Sequence, residues 1–217
     1  GGDLSEMDKI NSEEECLDNF ADLADHFMIG LSKVGEFEAQ DRQVDMLLQV
    51  VPSFERVGDY GTNMVELAQR LQNEKSSFSE NAKRDLKILC PAVGEILDIT
   101  VEAFESNHLD NAKRIEPLEE TIDDMVMILK DRHTKRLKSG ECNVSSGLVF
   151  MESLTYLERA SDQCSSIAVM MLARNNESIL HNRYDYLKEI HAGNDAAYRA
   201  EMDRRREQYI TPLKAVM

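Results

Sequence analysis

Apolar residues recur every three or four positions along most of this chain, which is the spacing of amphipathic α-helices. The pattern predicts helices at 12–34, 39–72, 79 to a corner at 108–110, 111–137, 145–174 and 178–209. Ser12 is the expected N-cap of the first helix. The stripe expected to face inward in that helix consists of Leu17, Phe20, Leu23, Ala24, Phe27 and Leu31. Long helices joined by short corners imply an all-α fold of antiparallel bundles.

Two acidic motifs each occur twice, about half a chain apart. The segment Phe54-Glu55-Arg56-Val57-Gly58-Asp59 reappears at 157–162, and the seven residues that begin at Glu14 reappear from Glu119. In every copy an acid is followed four positions later by an aspartate, so a helix stacks the two carboxylates one turn apart. Two motifs that repeat with nearly one period indicate an internal duplication. The candidate site residues are Glu14, Asp18, Glu55, Asp59, Glu119, Asp123, Glu158 and Asp162.

The apolar neighbours of these acids predict that the carboxylates turn partly inward. Buried carboxylates must be protonated, paired with arginine or neutralised by a metal ion. Carboxylate oxygens in this number suit magnesium, manganese or iron, and zinc is also compatible. The alternative is a solvated acidic face paired with Arg56 and Arg159. Because 41 of the 217 residues are Asp or Glu, spacing alone leaves both interpretations open.

The net charge of −16 narrows the range of partners. It argues against nucleic acid, which needs clustered Lys and Arg, and against adhesion to anionic lipid. No apolar run reaches the roughly 18 residues of a membrane-spanning helix, so we expect no direct membrane insertion. Four scattered cysteines favour a reducing compartment. The charge instead favours cations or a basic partner protein.

Catalytic motifs are sparse, and the sequence predicts that the protein is not an enzyme. A Ser-His-Asp set and a phosphate-binding loop are both missing from the sequence. A di-iron carboxylate enzyme is the remaining alternative, and it needs two Glu-x-x-His motifs. Only Glu105 and His108 have that spacing. We expect His26, His181 and His191 at surface or capping positions rather than as ligands.

The repeated motifs resemble those of the PhoU family of helical regulators of phosphate uptake. In that family, a helix of the form Leu-Glu-Arg-Ile-x-Asp faces a partner helix of the form Glu-Glu-x-Ile-Asp-x-Leu, and the likeness spans roughly 13–174. The resemblance implies two spectrin-repeat-like three-helix bundles in tandem. It also implies multinuclear iron or zinc clusters held by the eight candidate acids, and it allows a homodimer.

The resemblance also implies a division of the chain into three parts. Residues 1–75 would form a first repeat without its opening helix, 76–175 a complete second repeat, and 176–217 an added C-terminal helix. This layout, with Gly1-Gly2 interpreted as a cleavage scar, resembles the cytosolic tail of a bacterial sodium/phosphate cotransporter.

A tail of that kind would be a soluble, non-enzymatic regulatory domain at the cytoplasmic face of the inner membrane. Its partner would be the transmembrane portion of the same chain. The alternative is a free-standing PhoU-type regulator of phosphate transport and signalling.

Overall fold

The computed structural model describes residues 6–32, 38–174, 176–193 and 195–215. Within those ranges the chain is helical and contains no strand, so the prediction of an all-α fold is confirmed. The main body consists of α1 (Met7–Ser32), α2 (Glu38–Asn73), α3 (Glu80–Ser106), α4 (Leu109–Ala112), α5 (Ile115–Lys138) and α6 (Val144–Arg174). None of the described helices combines the length and the apolar character needed to cross a membrane.

Helices α3, α5 and α6 pack against one another as a three-helix bundle. Their inward faces supply the core, whose fully buried members include Leu89, Ile96, Leu118, Ile122 and Leu154. Helix α2 packs along α6, and α1 packs chiefly against α2. The two halves are therefore joined through the α2–α6 contact. The division at 75 and 175 stays a prediction.

The first helix begins earlier than predicted, and four of the six apolar residues predicted to face inward are exposed. Helix α1 begins at Met7, so Ser12 lies inside it and is not its N-cap. The side chains of Phe20, Leu23 and Phe27 are 70%, 67% and 65% exposed. Because α1 packs chiefly on one partner, α2, only a narrow part of its apolar surface is covered. The buried side of α1 carries Ala21 and Met28.

The last predicted helix is broken into short pieces. They are α7 (Glu177–His181), α8 (Arg183–His191), α9 (Ala196–Arg205), a π-helical segment (Arg206–Ile210) and α10 (Thr211–Ala215). Side chains interrupt the helix, because Asn182 accepts a hydrogen bond from Asp185 N and Asp195 accepts from Ala197 N. Such short polar side chains favour N-caps over helix interiors. Gly193 then turns the chain with φ at 74°.

This C-terminal segment is fastened to the three-helix bundle by charged side chains. Arg205 is fully buried and forms ion pairs with Glu95 of α3 and with Glu201 of α9. Arg206 pairs with Asp124 of α5 at 2.9 Å. Arg132 of α5 donates a hydrogen bond of 2.6 Å to the carbonyl oxygen of Leu213. The segment therefore covers the outer faces of α3 and α5.

Candidate functional site

Six of the eight acids predicted from the sequence come together in two groups of three. Between α5 and α6, the carboxylates of Glu119, Asp123 and Asp162 each place an oxygen within 4.8 Å of the other two. Between α1 and α2, Glu14, Asp18 and Asp59 do the same. We call these the second and the first acidic group. They occupy equivalent positions of the duplicated motifs.

Helix geometry and close packing explain how each group forms. The four-residue spacing stacks two acids on α1 and on α5, and the neighbouring helix supplies the third. In the first group, Gly58 allows α1 to approach α2 closely, since a Cβ there would lie 2.7 Å from Leu17 Cδ2. At the equivalent position of α6, the buried Ser161 donates its hydroxyl proton to the carbonyl oxygen of Glu158 at 2.7 Å.

The two remaining predicted acids lie outside these groups. Glu158 forms an ion pair of 2.6 Å with Lys130 of α5. Partial burial raises the pKa of Glu55, and the charges of Asp18 and Asp59 raise it further. In the described part of the chain neither Arg56 nor Arg159 forms an ion pair with the candidate acids, although the charge of Arg159 acts on Asp162.

The second acidic group is enclosed enough to change its acid–base chemistry. Burial raises the pKa of Asp123 to about 7, and the charges of Asp162 and Glu158 add to the effect. Burial likewise raises the pKa of Glu119 and of Asp162. Within the described residues, the buried Oδ1 of Asp123 has no hydrogen-bond partner. These carboxylates therefore favour a proton or a metal cation over three free negative charges.

The first acidic group has the same donors in a more open setting. Desolvation raises the pKa of Glu14, as do the charges of Asp18 and Asp59. The Oδ1 atom of Asp18 is buried without a hydrogen-bond partner among the described residues. Three carboxylate oxygens within 4.8 Å of one another fit the ligand preferences of a divalent cation. A metal role for either group stays a prediction.

Sequence reasoning missed a third group, formed by Glu116, Glu120 and His191. His191 is exposed, as expected, and its ring also contacts carboxylates from two turns of α5. The spacing of Glu116 and Glu120 matches the acid motif and is a usable signal. The position of His191 is not readable from the sequence, because a single long helix was predicted there. The other candidate histidine, His108, caps α4 by accepting from Asn111 N at 3.3 Å.

Comparisons with known proteins agree with this architecture. Residues 86–171 match the PhoU domain. PhoU homolog 1 of Thermotoga maritima, a phosphate-specific transport system accessory protein, is 22% identical over 158 residues, which are 73% of this chain and 66% of that protein. The match therefore spans just under two thirds of the relative.

Two solved structures have the same fold. PhoU from Pseudomonas aeruginosa superposes with a TM-score of 0.71 at 16% identity, covering 77% of this chain and 79% of that one. The phosphate transport system regulatory protein PhoU from Streptococcus pneumoniae gives 0.66 at 16% identity, covering 78% and 79%. The resemblance seen in the motifs is confirmed by the match of residues 86–171 to the PhoU domain.

Proposed function

We propose that this chain is a non-enzymatic regulator of phosphate transport that works through cations held in its two acidic groups. The observation that carries the proposal is the equivalent placement of Glu14, Asp18 and Asp59 in one half and Glu119, Asp123 and Asp162 in the other. The second group lies inside the matched PhoU domain. The names of the relatives, an accessory protein and a regulatory protein of phosphate transport, support the same role.

Metal binding is the chemical part of this proposal. A divalent cation in the first group would tie α1 to α2, and one in the second group would tie α5 to α6. Iron and zinc are the metals implied by the family resemblance, and magnesium and manganese also suit oxygen donors. The bound cation would supply positive charge, and the chain would supply the oxygens and their spacing.

Elemental analysis of protein purified without a histidine tag tests this part. We expect retained metal in the wild type and a lower metal content in the double variant Asp18→Asn/Asp123→Asn. The control is Asp98→Asn, because Asp98 is an exposed acid on α3 outside all three groups. Equal metal content in the double variant and the control would contradict metal binding by the acidic groups.

The finer proposal is that the domain regulates a sodium/phosphate cotransporter as its cytosolic tail, at the cytoplasmic face of the inner membrane. Its support is the likeness of the motif layout, together with a charge of −16 that disfavours direct adhesion to anionic lipid. Transmembrane helices encoded in the same reading frame would support the tail. A reading frame without them would support the free-standing regulator.

Phosphate uptake in the source organism tests the regulatory role. Cells that lack residues 1–217 should take up radiolabelled phosphate with an altered response to external phosphate. The intact sequence should restore the response, as should the Asp98→Asn variant, whereas Asp18→Asn/Asp123→Asn should not. Unchanged uptake and unchanged regulation in the deleted strain would refute the proposal.

The alternative of a free-standing PhoU has its own support, because the Thermotoga relative is named an accessory protein of a phosphate-specific transport system. In that case, the deletion should derepress a phosphate-starvation reporter through a sensor kinase. Comparing the reporter with uptake in one strain separates the two modes, since a cotransporter tail should change uptake first.

A further inference from the structure

The group formed by Glu116, Glu120 and His191 shares no residue with the two acidic groups and joins the PhoU domain to the C-terminal segment. His191 Nε2 lies 2.8 Å from Glu116 Oε1, and His191 Nδ1 lies 3.5 Å from Glu120 Oε1. One potential ligand atom from each residue lies within 4.8 Å of the other two. Two acids from one face of α5 thus meet an imidazole from the last turn of α8.

This donor set differs in kind from the two acidic groups. One imidazole nitrogen and two carboxylate oxygens match the ligands of divalent first-row transition metals such as zinc and ferrous iron. Magnesium and calcium prefer oxygen donors alone. The imidazole therefore favours transition metals over magnesium and calcium, whereas the all-oxygen acidic groups make no such distinction.

The site is partly built into the protein interior. Glu116 is only 7% exposed, and its Oε2 accepts a hydrogen bond from the Ser165 hydroxyl. That hydrogen bond orients the carboxylate and leaves Oε1 directed at His191, as outer-shell partners of metal ligands do. Glu120 is about one-third exposed and lies one helical turn farther along α5.

The surroundings carry an excess of negative charge. Glu119 and Asp123 continue the face of α5 that presents Glu116 and Glu120. Burial raises the pKa of Tyr198, and the charges of Glu120, Glu116 and Glu119 raise it further. The cavity beside the group is also lined by Arg199 and Arg206, and Arg206 is paired with Asp124 at 2.9 Å. A divalent cation would offset charge that these side chains leave uncompensated.

A cavity of about 300 Å³ lies beside the group. Its walls include Glu120, His191, Tyr198, Arg199 and Met202. A cavity of this size holds several water molecules, which can complete a coordination sphere that has three protein ligands. The cavity also gives a metal ion a route from solvent to the group.

We propose that Glu116, Glu120 and His191 form a binding site for a divalent transition metal, with zinc as the reference ion, that clamps the C-terminal segment onto α5. Because Gly193 lies two residues and the N-cap Asp195 four residues after His191, the metal holds the start of α9 close to α5. The site goes beyond the proposed regulatory function, and it depends on neither acidic group being occupied.

Zinc titration of the full 217-residue chain tests this proposal. The protein is purified without a histidine tag, stripped with a chelator and titrated with Zn²⁺ while bound zinc and the ¹H–¹⁵N spectrum of the histidine rings are recorded. We expect one ring nitrogen of His191 to shift on zinc binding. We also expect His191→Ala and Glu120→Gln each to lose one Zn²⁺ per chain.

The control variant is His26→Ala, because the His26 ring bonds to the carbonyl oxygen of Asp22 on its own exposed helix turn. It should keep the full number of zinc ions. Unchanged zinc stoichiometry in His191→Ala and Glu120→Gln, or a His191 ring that does not shift, would overturn the proposal. Circular dichroism confirms that each variant is folded.

The double variant Asp18→Asn/Asp123→Asn separates this site from the acidic groups. It should retain the zinc-dependent shift of His191 while losing the metal of both acidic groups. Failure of the His191 site leaves the regulatory proposal intact, and failure of the acidic groups leaves the His191 site intact. Loss of the His191 shift in the double variant would overturn the independence of the site.

Discussion

The two halves of the molecule carry the same acidic motifs, yet they enclose them differently. In the second half, α5 is covered by α3, by α6 and by the C-terminal segment, and Glu119 is buried. In the first half, α1 packs chiefly on α2, and Glu14 stays half-exposed. The duplicated spacing thus produces one deeply desolvated site and one open site. The motif sets the spacing of the carboxylates, whereas the number of helices packed around them sets how far they are desolvated.

The contrast extends along the same helices. The offset of 105 residues that relates Glu14 to Glu119 also relates Phe27 to Arg132 and Leu31 to Arg136. Both arginines pair with Asp85 of α3, at 2.8 and 2.6 Å. Within the described ranges, no third helix packs on the corresponding face of α1. The exposed apolar face of α1 is therefore equivalent to a face of α5 that α3 covers in the second half.

The largest expected effect comes from removing the acid that unites α3 with α5. Asp85→Ala leaves Arg132 and the buried Arg136 without their shared carboxylate, so the free energy of unfolding should fall by about 3–5 kcal/mol. Urea denaturation measures the loss. The control Asp98→Ala, an exposed acid on the same helix, should stay within about 0.5 kcal/mol of wild type. Equal losses in both variants would contradict the role of the buried pairs.

The next effect compares equivalent apolar residues of the two halves. Met125→Ala should cost about 2–5 kcal/mol of unfolding free energy, because Met125 is fully buried in the three-helix bundle. Phe20→Ala, its counterpart in the repeat, should cost no more than about 0.5 kcal/mol, because that ring is largely exposed. If Phe20→Ala costs as much as Met125→Ala, the α1 face is covered in solution. Size-exclusion chromatography would then test for the homodimer that the family resemblance allows.

A smaller effect concerns pH in metal-free protein. Because burial raises the folded pKa of Asp123 to about 7 from an ordinary value of 3.8, the folded state binds its proton more tightly than the unfolded state. The stability linked to that proton is fully present below pH 4 and is lost as the pH rises through 7. Thermal melts in chelator between pH 4 and 8 should show this decline.

Asp123→Asn should flatten that decline, because an amide does not titrate. Glu14→Gln in the more open first half should change the slope less, since its carboxylate keeps more contact with water. A pH profile of Asp123→Asn that matches wild type would exclude this linkage. A larger change from Glu14→Gln would reverse the comparison between the halves.

The smallest effect on stability is expected from Gly58→Ala. The new Cβ would meet Leu17 Cδ2 at 2.7 Å, whereas alanine gains about 1 kcal/mol of helix propensity, so the two contributions nearly cancel. The methyl group should nevertheless widen the gap between α1 and α2. We therefore expect weaker zinc binding at the first acidic group and unchanged binding at the second. Zinc titration measures both. Equal weakening at both groups would show that the halves are coupled.

Helix existence and the paired acids were predictable, since both depend on local periodicity. Helices α2, α3 and α6 begin and end within two residues of their predicted limits. The four-residue spacing brought Glu119 next to Asp123 and Glu14 next to Asp18. Ser79, predicted to open the third helix, is its N-cap and accepts a hydrogen bond from Ala82 N at 3.3 Å.

Features that depend on tertiary packing were not predictable. The apolar stripe of α1 was assigned inward because sequence alone does not count the helices that cover it. Glu158 was grouped with the candidate ligands, yet it pairs with Lys130, a residue 28 positions away on another helix. His191 contacts Glu116, which lies 75 positions earlier in the sequence. Contacts of that range leave no periodic trace in a single sequence.

Arg132 has a further consequence, because one guanidinium group holds both Asp85 of α3 and the carbonyl oxygen of Leu213 near the end of the described chain. Arg132 thereby connects the last helical turn of the described chain to the three-helix bundle. A fluorophore attached beyond Leu213 would act as a reporter of rearrangements between α3 and α5, and a bulky fusion at the same place would disturb them. Labels and fusions intended to be silent belong on another part of the surface.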